Sequence, residues 1–453
     1  MIRGRKTSLA FLILDVFSLV LAFNTVGAIR GINAFNGLII APLALPCSLL
    51  IVALYLIDGY KLHTDMLSLD YTSQHFIALF STMLASLLIT FVIIPSGYTL
   101  QQSRAVIAIS FALLAPVTLV YRRYLYARYI SRRKNQCIVF LGDLPSAQGF
   151  VEECSVAGMS QTVFHAQNDD TSESKVDGHE ASFPQLLQQL RDGKISIEAI
   201  VVRESSRYVT PEMSQQLVDL YFSGIPTYTL ELFHQVYWRK IPLYRLNQTW
   251  LFQEGFQIAR EPAFERLKRL SDIILSLIGL LFSIPIFLIA GMAIWIEDRD
   301  PVFFKQTRIG KNRLPFNVYK LRSMRENVGG DRYAQEGDKR VTRVGRLLRA
   351  SRLDEFPQLI NVLKGEMSLI GPRAEWDKLV ADYEQQIPCY HFRHLVRPGI
   401  TGWAQVNYPY GANIGDTLRK LEYDLYYIRH FSFRLDASIV LKTLHVMLFG
   451  KGR

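Results

Sequence analysis

Cysteine is scarce in this 453-residue chain, which has only four. They are Cys47, Cys137, Cys154 and Cys389, so no Cys-x-x-Cys spacing occurs. This pattern predicts neither a zinc site nor a disulfide framework. Because disulfides belong to oxidising compartments, we expect the soluble parts of the chain to lie in a reducing, cytosolic environment.

The chain also lacks the glycine-rich loop of dinucleotide-binding folds at the place where that loop would be expected. From residue 137 onward, short β runs alternate with helix-like stretches, which is typical of a parallel, doubly wound sheet. The first strand leads into GDLPSAQG, which has glycine only at Gly142 and Gly149. Close approach of a pyrophosphate needs the missing glycines. Residues 135–250 are therefore predicted to form a degenerate Rossmann-like α/β domain with a structural or regulatory role. Its predicted strands are Cys137–Gly142, Thr162–Ala166, Ala199–Val202 and Thr227–Leu230, its predicted helices are Ser146–Ala157, Phe183–Arg191 and Pro211–Phe222, and Asn168–Glu180 is predicted to be a polar loop.

No A-x-A cleavage pattern follows the first apolar run, although basic residues precede that run as they would in a signal peptide. We therefore expect an uncleaved membrane anchor. Apolar residues make up 49% of the chain, and four long apolar runs lie before residue 122. Each is close to the ~20 residues that cross a bilayer as a helix, so residues 1–126 are predicted to form a bundle of four transmembrane helices. The predicted spans are Ser8–Ala28, Leu38–Ile57, Phe76–Ile94 and Ala105–Tyr121.

Positive charge is in excess, with a formal net charge of +11. Basic residues are concentrated before the first predicted span and after the fourth, so the positive-inside rule places both ends of the four-helix unit in the cytoplasm. The excess also indicates contact with phosphates. In a chain this apolar, we expect anionic lipids and nucleotide-sugar phosphates as partners rather than nucleic acid.

A fifth apolar stretch, Ile273–Trp295, has basic residues on both flanks. A single crossing would place one basic cluster outside the cell, against the positive-inside rule. Pro285 lies near the middle of the stretch, where proline removes a backbone hydrogen bond and kinks a helix. We therefore predict a re-entrant helix over residues 270–296 that breaks at Ser283 and Pro285 and returns to the same side. The alternative is an ordinary fifth span with a proline kink.

Two adjacent carboxylates, Asp354 and Glu355, lie in the run RASRLDEFPQ. Around one phosphate they could divide two tasks, because one carboxylate can attack phosphorus as a nucleophile while the other holds Mg²⁺. The alternative is that the pair merely caps a helix before Pro357. The surroundings favour chemistry: an arginine recurs at every third position from Arg340 to Arg352, and cations tolerate phosphate charge. Further candidate phosphate ligands are Lys320, Arg322, Arg308 and Arg373.

Residues 259–453 resemble the bacterial sugar transferases known as polyprenyl-phosphate hexose-1-phosphate transferases, or monotopic phosphoglycosyl transferases. The resemblance follows an ordered set of motifs over nearly 200 residues. The motifs are QTRIG at 306–310, YKLRSM at 319–324, RLDEFPQLINVLKGEMSLIGPR at 352–373, RPGITGWAQVN at 397–407 and LEYDLYYI at 421–428. The whole chain resembles the large form of the family, which is associated with exopolysaccharide assembly.

The resemblance implies a two-step reaction on the cytoplasmic face of the bacterial inner membrane. Asp354 matches the nucleophile that takes a sugar phosphate from a UDP-sugar and releases UMP, and Glu355 matches the ligand of the Mg²⁺ cofactor. Polyprenyl (undecaprenyl) phosphate then accepts the hexose-1-phosphate. Lys320, Arg322, Arg352, Arg373 and Asp424 are the predicted substrate-binding residues. The implied fold is a mostly α-helical catalytic domain anchored by the re-entrant helix. Further candidate partners are a second copy of the chain, in a homo-oligomer, and downstream glycosyltransferases.

Two other functions compete with this one. A non-catalytic membrane scaffold or lipid-headgroup sensor of polysaccharide assembly would suit four spans and a basic face, yet it would not need Asp354 and Glu355 beside so many cations. A metal-dependent glycosyltransferase would release UDP, and we expect no Asp-x-Asp metal motif of the kind such enzymes use. The nucleotide released, UMP or UDP, separates the two enzyme classes.

Overall fold

The fold comes from a computed structural model that describes residues 2–32, 37–62, 64–131, 136–159, 161–167, 180–203, 209–243, 262–325, 340–408, 411 and 413–449. Within these ranges the chain divides into two compact units, Met1–Arg239 and Lys240–Arg453. Most of the predicted loop Asn168–Glu180, residues 168–179, lies outside the described residues, as do residues 135, 250 and 259 at the predicted domain boundaries.

The first unit begins with four apolar helices, α1 to α4. Their bounds are Ile2–Ile29 (α1), Ala44–Leu56 (α2), Leu69–Leu88 (α3) and Arg104–Ser131 (α4). Helix α1 packs along α4, and α3 packs against both α2 and α4. Buried charge inside the bundle is paired, since the Arg122 guanidinium lies 2.5 Å from the Asp15 carboxylate, which also accepts a hydrogen bond from the Tyr60 hydroxyl at 2.7 Å. Paired groups of this kind are what a membrane interior tolerates.

Four helices among the described residues are long and apolar enough to cross a membrane: Thr7–Ile29, Leu69–Ile93, Arg104–Ser131 and Phe264–Asp298. They contain the first and fourth predicted spans, the fifth apolar stretch, and the third predicted span except for its last residue, Ile94. The second predicted span, Leu38–Ile57, is wrong in its length. Its helix α2 has 13 residues after a 3-10 turn that contains Pro42, and so measures about 20 Å against a hydrocarbon core of about 30 Å. Proline cannot donate the backbone hydrogen bond that would extend this helix backward.

A five-stranded sheet completes the first unit. Its strands are Gln136–Leu141 (β1), Thr162–Gln167 (β2), Glu180–Ser182 (β3), Ser196–Val202 (β4) and Thr227–Thr229 (β5), and its helices are Leu144–Val156 (α5), Phe183–Arg191 (α6), Pro211–Phe222 (α7) and Leu230–Phe233 (α8). The strand order is β3-β2-β1-β4-β5, and every pairing is parallel. The predicted parallel sheet is therefore confirmed, with β3 as an extra strand. Apolar clusters lie around β1 and β4, where strands that are covered on both faces become almost continuously hydrophobic.

The second unit combines one long helix with small sheets and short helices. Its elements are Pro262–Asp298 (α9), Phe303–Ile309 (β6), Pro315–Leu321 (β7), Arg343–Ser351 (α10), Gln358–Lys364 (α11), Ser368–Ile370 (β8), Asp377–Gln386 (α12), Gly399–Thr401 (β9), Trp403–Asn407 (α13), Ile414–Arg429 (α14) and Phe433–Phe449 (α15). Strands β6 and β7 form an antiparallel hairpin, and β8 pairs with β9 in parallel. Among the described residues of this unit, the largest core packs α12, α14 and α15 around Trp403.

Candidate active site

The two adjacent carboxylates lie at the junction of α10 and α11. Helix α10 ends at Ser351. Its cap residue, Arg352, has a left-handed backbone conformation with φ of 55°, and Leu353–Glu355 then form one 3-10 turn. A left-handed residue other than glycine is strained, and such strain concentrates at functional sites. The interruption takes Asp354 and Glu355 off a continuous helix and buries both, with 8% and 9% of their surface exposed.

Glu355 is held by two cations through a single oxygen. Its Oε1 lies 2.8 Å from Nζ of Lys320, on β7, and 3.3 Å from a guanidinium nitrogen of Arg373. Burial opposes ionisation, but the charges of Lys320 and then Arg373 outweigh it and hold the pKa of the Glu355 carboxyl well below its usual range. Among the described residues, none forms a hydrogen bond or an ion pair with Oε2. Glu355 is therefore an anion with one oxygen bound and the other available.

Asp354 is in a different environment. Among the residues that the structure describes, its carboxylate makes no hydrogen bond or ion pair with another residue. Burial raises its pKa first, and the neighbouring charge of Glu355 raises it further, against the opposing effect of Lys320 and Arg349. A buried carboxylate without a partner keeps its lone pairs for an incoming electrophile, as a nucleophile requires.

The structure brings together five of the predicted catalytic and substrate-binding residues, which are Asp354, Glu355, Lys320, Arg352 and Arg373. Lys320 and Arg373 contact Glu355 directly, and the charge of Arg352 also lowers the pKa of Glu355. Arg322 lies elsewhere, because its guanidinium pairs with Asp298 at 3.4 Å and Asp300 at 2.7 Å. These partners lie at the end of α9, so Arg322 holds the end of the apolar helix to the end of β7.

Asp424 also lies apart from the carboxylate pair. It is almost fully buried on α14, and its Oδ2 accepts a hydrogen bond from Arg393 at 2.9 Å. Burial raises its pKa to about 6, although Arg393 opposes this shift. Arg308 is likewise not at the pair, since it donates to the carbonyl of Ala374 at 3.0 Å. Arg308 and Asp424 therefore contact residues near Arg373 and not the carboxylate pair itself.

The expectation that the chain has no Asp-x-Asp spacing is wrong, because Asp298 and Asp300 have it. Both carboxylates are engaged by Arg322. Nor do the described residues contain a cluster of three or more His, Cys, Asp or Glu side chains that could hold a metal ion. A divalent metal here would have to use one or two carboxylates together with substrate phosphates, which is how Mg²⁺ is commonly bound.

Sequence reasoning missed Arg393. It is 6% exposed, lies four residues before the RPGITGW motif, and contacts the backbone of Arg373. The available signal was the position of Arg393 among Phe392, Leu395 and Val396, because apolar neighbours predict burial and a buried arginine needs an anionic partner.

Helix α9 continues without interruption through Ser283 and Pro285, where a helix break was predicted, so the re-entrant helix stays a prediction. Ser283 donates its hydroxyl to the carbonyl of Gly279 at 2.6 Å. Such back-bonding by serine, four residues along a helix, often accompanies a bend. Proline removes one further hydrogen bond at the same place, so two adjacent features weaken the helix there.

The sequence model of the family described as "Bacterial sugar transferase" matches residues 263–450. The chain is 38% identical over 269 residues to an Aeromonas hydrophila protein named UDP-N-acetylgalactosamine-undecaprenyl-phosphate N-acetylgalactosaminephosphotransferase, with 59% of this chain and 63% of the relative covered. It is 44% identical over 184 residues to the Escherichia coli (strain K12) UDP-glucose:undecaprenyl-phosphate glucose-1-phosphate transferase, with 39% of each covered.

A third relative is much shorter. The "Exopolysaccharide production protein PSS" of Rhizobium leguminosarum bv. phaseoli is 42% identical over 195 residues, which cover 41% of this chain and 98% of that protein. The matches span less than two thirds of the Aeromonas and Escherichia proteins but almost all of the Rhizobium one. A region about as long as the family match is thus an entire protein in one relative.

Proposed function

The chain belongs to the bacterial sugar transferase family, and we propose that it transfers a hexose-1-phosphate from a UDP-sugar to undecaprenyl phosphate as an initiating step of exopolysaccharide or related glycan synthesis. The observation that carries this proposal is the unequal environment of the two carboxylates. Glu355 is ionised and held by Lys320 and Arg373, whereas Asp354 beside it is buried without a partner among the described residues.

The reaction has two displacements at one phosphorus atom. A carboxylate oxygen of Asp354 attacks the β-phosphorus of the UDP-sugar, the bond to the bridging oxygen breaks, and UMP leaves with that oxygen. A phosphate oxygen of the lipid then attacks the same phosphorus and displaces Asp354, which gives a lipid-linked diphospho-sugar and restores the carboxylate. Covalent catalysis of this kind divides one difficult transfer into two easier ones.

The cations around Glu355 would stabilise the negative charge of the substrate's phosphates. Lys320 and Arg373 fix Oε1 of Glu355, so the carboxylate of Glu355 would hold Mg²⁺ through its other oxygen. When bound, Mg²⁺ would neutralise charge on the diphosphate and so assist departure of UMP. The fixed cations also lower the cost of placing a diphosphate beside two carboxylates.

Contacts at the two ends of α9 support the proposed re-entrant geometry. Glu265, near the start of the helix, forms an ion pair of 2.5 Å with Lys311, which follows β6. A straight helix would separate Glu265 from Asp298 by about 50 Å, whereas the 13 residues from Asp298 to Lys311 reach only about 45 Å when fully extended. Even with the reach of the two side chains added, a straight helix would need these residues almost fully extended. They include bends at residues 299, 300 and 302, so the ion pair favours a bent helix.

Hydrogen bonds from both halves of α9 to the segment that runs from α10 to α11 also support a re-entrant helix. Arg269 donates to a backbone carbonyl of α11, Leu363, at 2.6 Å, and Glu297 accepts from the amide of Arg343 at 2.8 Å at the start of α10. The two halves of α9 thus contact the two ends of one segment, and that segment carries Asp354 and Glu355. Ionised groups of this number cannot lie across the hydrocarbon core. Both flanks of α9 are therefore proposed to lie on the cytoplasmic face of the inner membrane, where UDP-sugars are found.

Release of nucleotide tests the proposal. Membranes that contain the full chain are supplied with undecaprenyl phosphate, Mg²⁺ and, in turn, UDP-glucose, UDP-galactose, UDP-N-acetylglucosamine and UDP-N-acetylgalactosamine. We expect UMP from at least one donor with the wild type and none with Asp354→Asn. Release of UDP would indicate a metal-dependent glycosyltransferase instead, and absence of any nucleotide release would favour the scaffold.

A further inference from the structure

The backbone that carries Arg373 is held by two arginine side chains from separate elements. Arg393 donates from one guanidinium nitrogen to the carbonyl of Arg373 at 2.9 Å. Arg308, on β6, donates to the carbonyl of the next residue, Ala374, at 3.0 Å. The amide of Ile309 also donates to the carbonyl of Glu375 at 3.1 Å. Three consecutive carbonyls are thereby fixed within one short irregular segment.

The two arginines are themselves fixed by carboxylates. The nitrogen of Arg393 that bonds the Arg373 carbonyl also donates to Asp424 at 2.9 Å, and its other terminal nitrogen donates to the Tyr390 hydroxyl at 2.6 Å. Glu375 lies between the two guanidinium groups, 3.8 Å from Arg393 and 3.9 Å from Arg308. Because Arg393 and Asp424 are both buried, their pairing is only weakly screened by solvent.

We propose that Arg308 and Arg393 are positioning residues that clamp residues 373–375 and thereby hold the Arg373 guanidinium against Oε1 of Glu355. The proposal rests on the function proposed above, and it assigns to Asp424 the task of orienting Arg393. The side chain of Arg373 is long and partly exposed, so it would lose much conformational freedom on binding. Fixing its backbone at two carbonyls removes part of that freedom before substrate arrives.

Lysine cannot replace either arginine in the clamp. The planar guanidinium presents several donors in a fixed fork, so Arg393 bonds a carbonyl, a carboxylate and a hydroxyl at once, whereas lysine places three donors on one flexible atom. Arg393→Lys therefore keeps the buried charge and loses the geometry. The same holds for Arg308→Lys, which is the second variant if Arg393→Lys fails to fold.

A double-mutant cycle separates positioning from general stabilisation. UMP release is measured as kcat/KM for wild type, Arg393→Lys, Arg373→Ala and the double variant. We expect Arg393→Lys to lose about tenfold in the wild-type background, as for a bond to a charged group, and less than about twofold once Arg373 is alanine, because residues that act through one another are not additive. Equal losses in both backgrounds would overturn the proposal.

The matched control is another buried ion pair of the same unit. Asp436 lies 2.5 Å from Lys268 and is buried like Arg393 and Asp424, but it forms no hydrogen bond or ion pair with Arg373 or Glu355. Asp436→Asn should lower thermal stability and change kcat/KM by the same factor whether or not Arg373 is present.

Hydrogen exchange tests the clamp without catalysis. Amide exchange over residues 371–376 should rise in Arg393→Lys and in Arg308→Lys and stay at the wild-type rate in Asp436→Asn. Unchanged exchange in both arginine variants would contradict the clamp. If the wild type releases no UMP from any donor, the proposed function fails, and the exchange measurement still decides whether residues 373–375 are clamped.

Discussion

Asp354 and Glu355 are neighbours in the chain, yet their contacts differ. Two cations on Oε1 keep Glu355 ionised, whereas Asp354 has a raised pKa and no partner among the described residues. From the resemblance, the sequence could predict that Asp354 is the nucleophile and Glu355 the metal ligand. It could not predict which cations contact Glu355, because distance along the chain does not show which side chain reaches it. Lys320 is 35 residues away, and Arg322, two residues further on, pairs with Asp298 and Asp300 instead.

Glu355→Gln should weaken the use of Mg²⁺ and keep the fold. The amide has no charge to offer the metal, and it also loses the ion pairs with Lys320 and Arg373. We expect the Mg²⁺ concentration for half-maximal UMP release to rise by about tenfold or more, as for the loss of a charged ligand. Glu366→Gln, whose carboxylate bonds Asn361, is the matched control. An unchanged metal dependence would remove Glu355 from the metal site.

The pH dependence follows from the raised pKa of Asp354. The nucleophile must be ionised, so kcat/KM should fall as the pH drops through this pKa, which lies above the ordinary value of 3.8. Glu355 is one cause of the shift, so the acid limb of the residual activity should move to lower pH in Glu355→Gln. Asp424, with a pKa of about 6, is the alternative source of an acid limb. A limb that moves in Asp424→Asn and not in Glu355→Gln would reject the assignment.

At the scale of elements, helices with clear local signals were predicted with correct bounds. A short strand that depends on long-range pairing was not predicted from the sequence. The helices Phe183–Arg191 and Pro211–Phe222 were predicted with the bounds that the structure has, because both begin at a Ser or Thr cap and proline near the first turn. Strand β3 was not predicted, because its three residues form a strand only by pairing with β2. The length of α2 was overestimated because hydropathy does not register where Pro42 stops a helix.

The course of α9 can be tested by the accessibility of single cysteines. In a chain whose four native cysteines are replaced by alanine, cysteine is placed at Arg266 or at Asn312, both exposed and on opposite flanks of α9. We expect both to be protected from an impermeant reagent in intact cells and to react once the membrane is opened, because the Glu265–Lys311 pair joins the two flanks. Ser96→Cys, in the exposed turn between α3 and α4, should react in intact cells. Reaction at residue 312 in intact cells would rule out the re-entrant helix.

At the scale of the whole molecule, the second unit begins before the family match does. The unit starts at Lys240, and Ile241 and Leu243 lie in its largest core with 0% and 4% exposure. The amide of Ile241 also donates to the carbonyl of Glu422 at 3.0 Å. The catalytic domain was predicted from its motifs as residues 259–453, and two isolated apolar residues before it leave no pattern in a sequence.

Truncation tests this boundary. A chain that starts at Lys240 should keep UMP release in membranes, since the carboxylate pair, its cations and α9 all follow residue 240. A chain that starts at Arg260 should unfold at lower temperature, because removal of Ile241 and Leu243 from the core costs about 3–6 kcal/mol at most. Thermal unfolding of both truncated chains and their UMP release are measured side by side. Loss of activity from the longer one would show that the first unit takes part in the chemistry.

The central claim is a covalent bond to Asp354, and trapping that bond tests it most directly. The wild type is mixed with the active UDP-sugar and Mg²⁺ in the absence of lipid acceptor, quenched in acid within seconds, and examined by intact-protein and peptide mass spectrometry. We predict one sugar phosphate per chain, located on the peptide that contains Asp354, with one equivalent of UMP released, and neither product from Asp354→Asn. Addition of undecaprenyl phosphate before the quench should remove the adduct. An adduct on any other residue, or UMP release only when the lipid is present and with no adduct, would contradict the account.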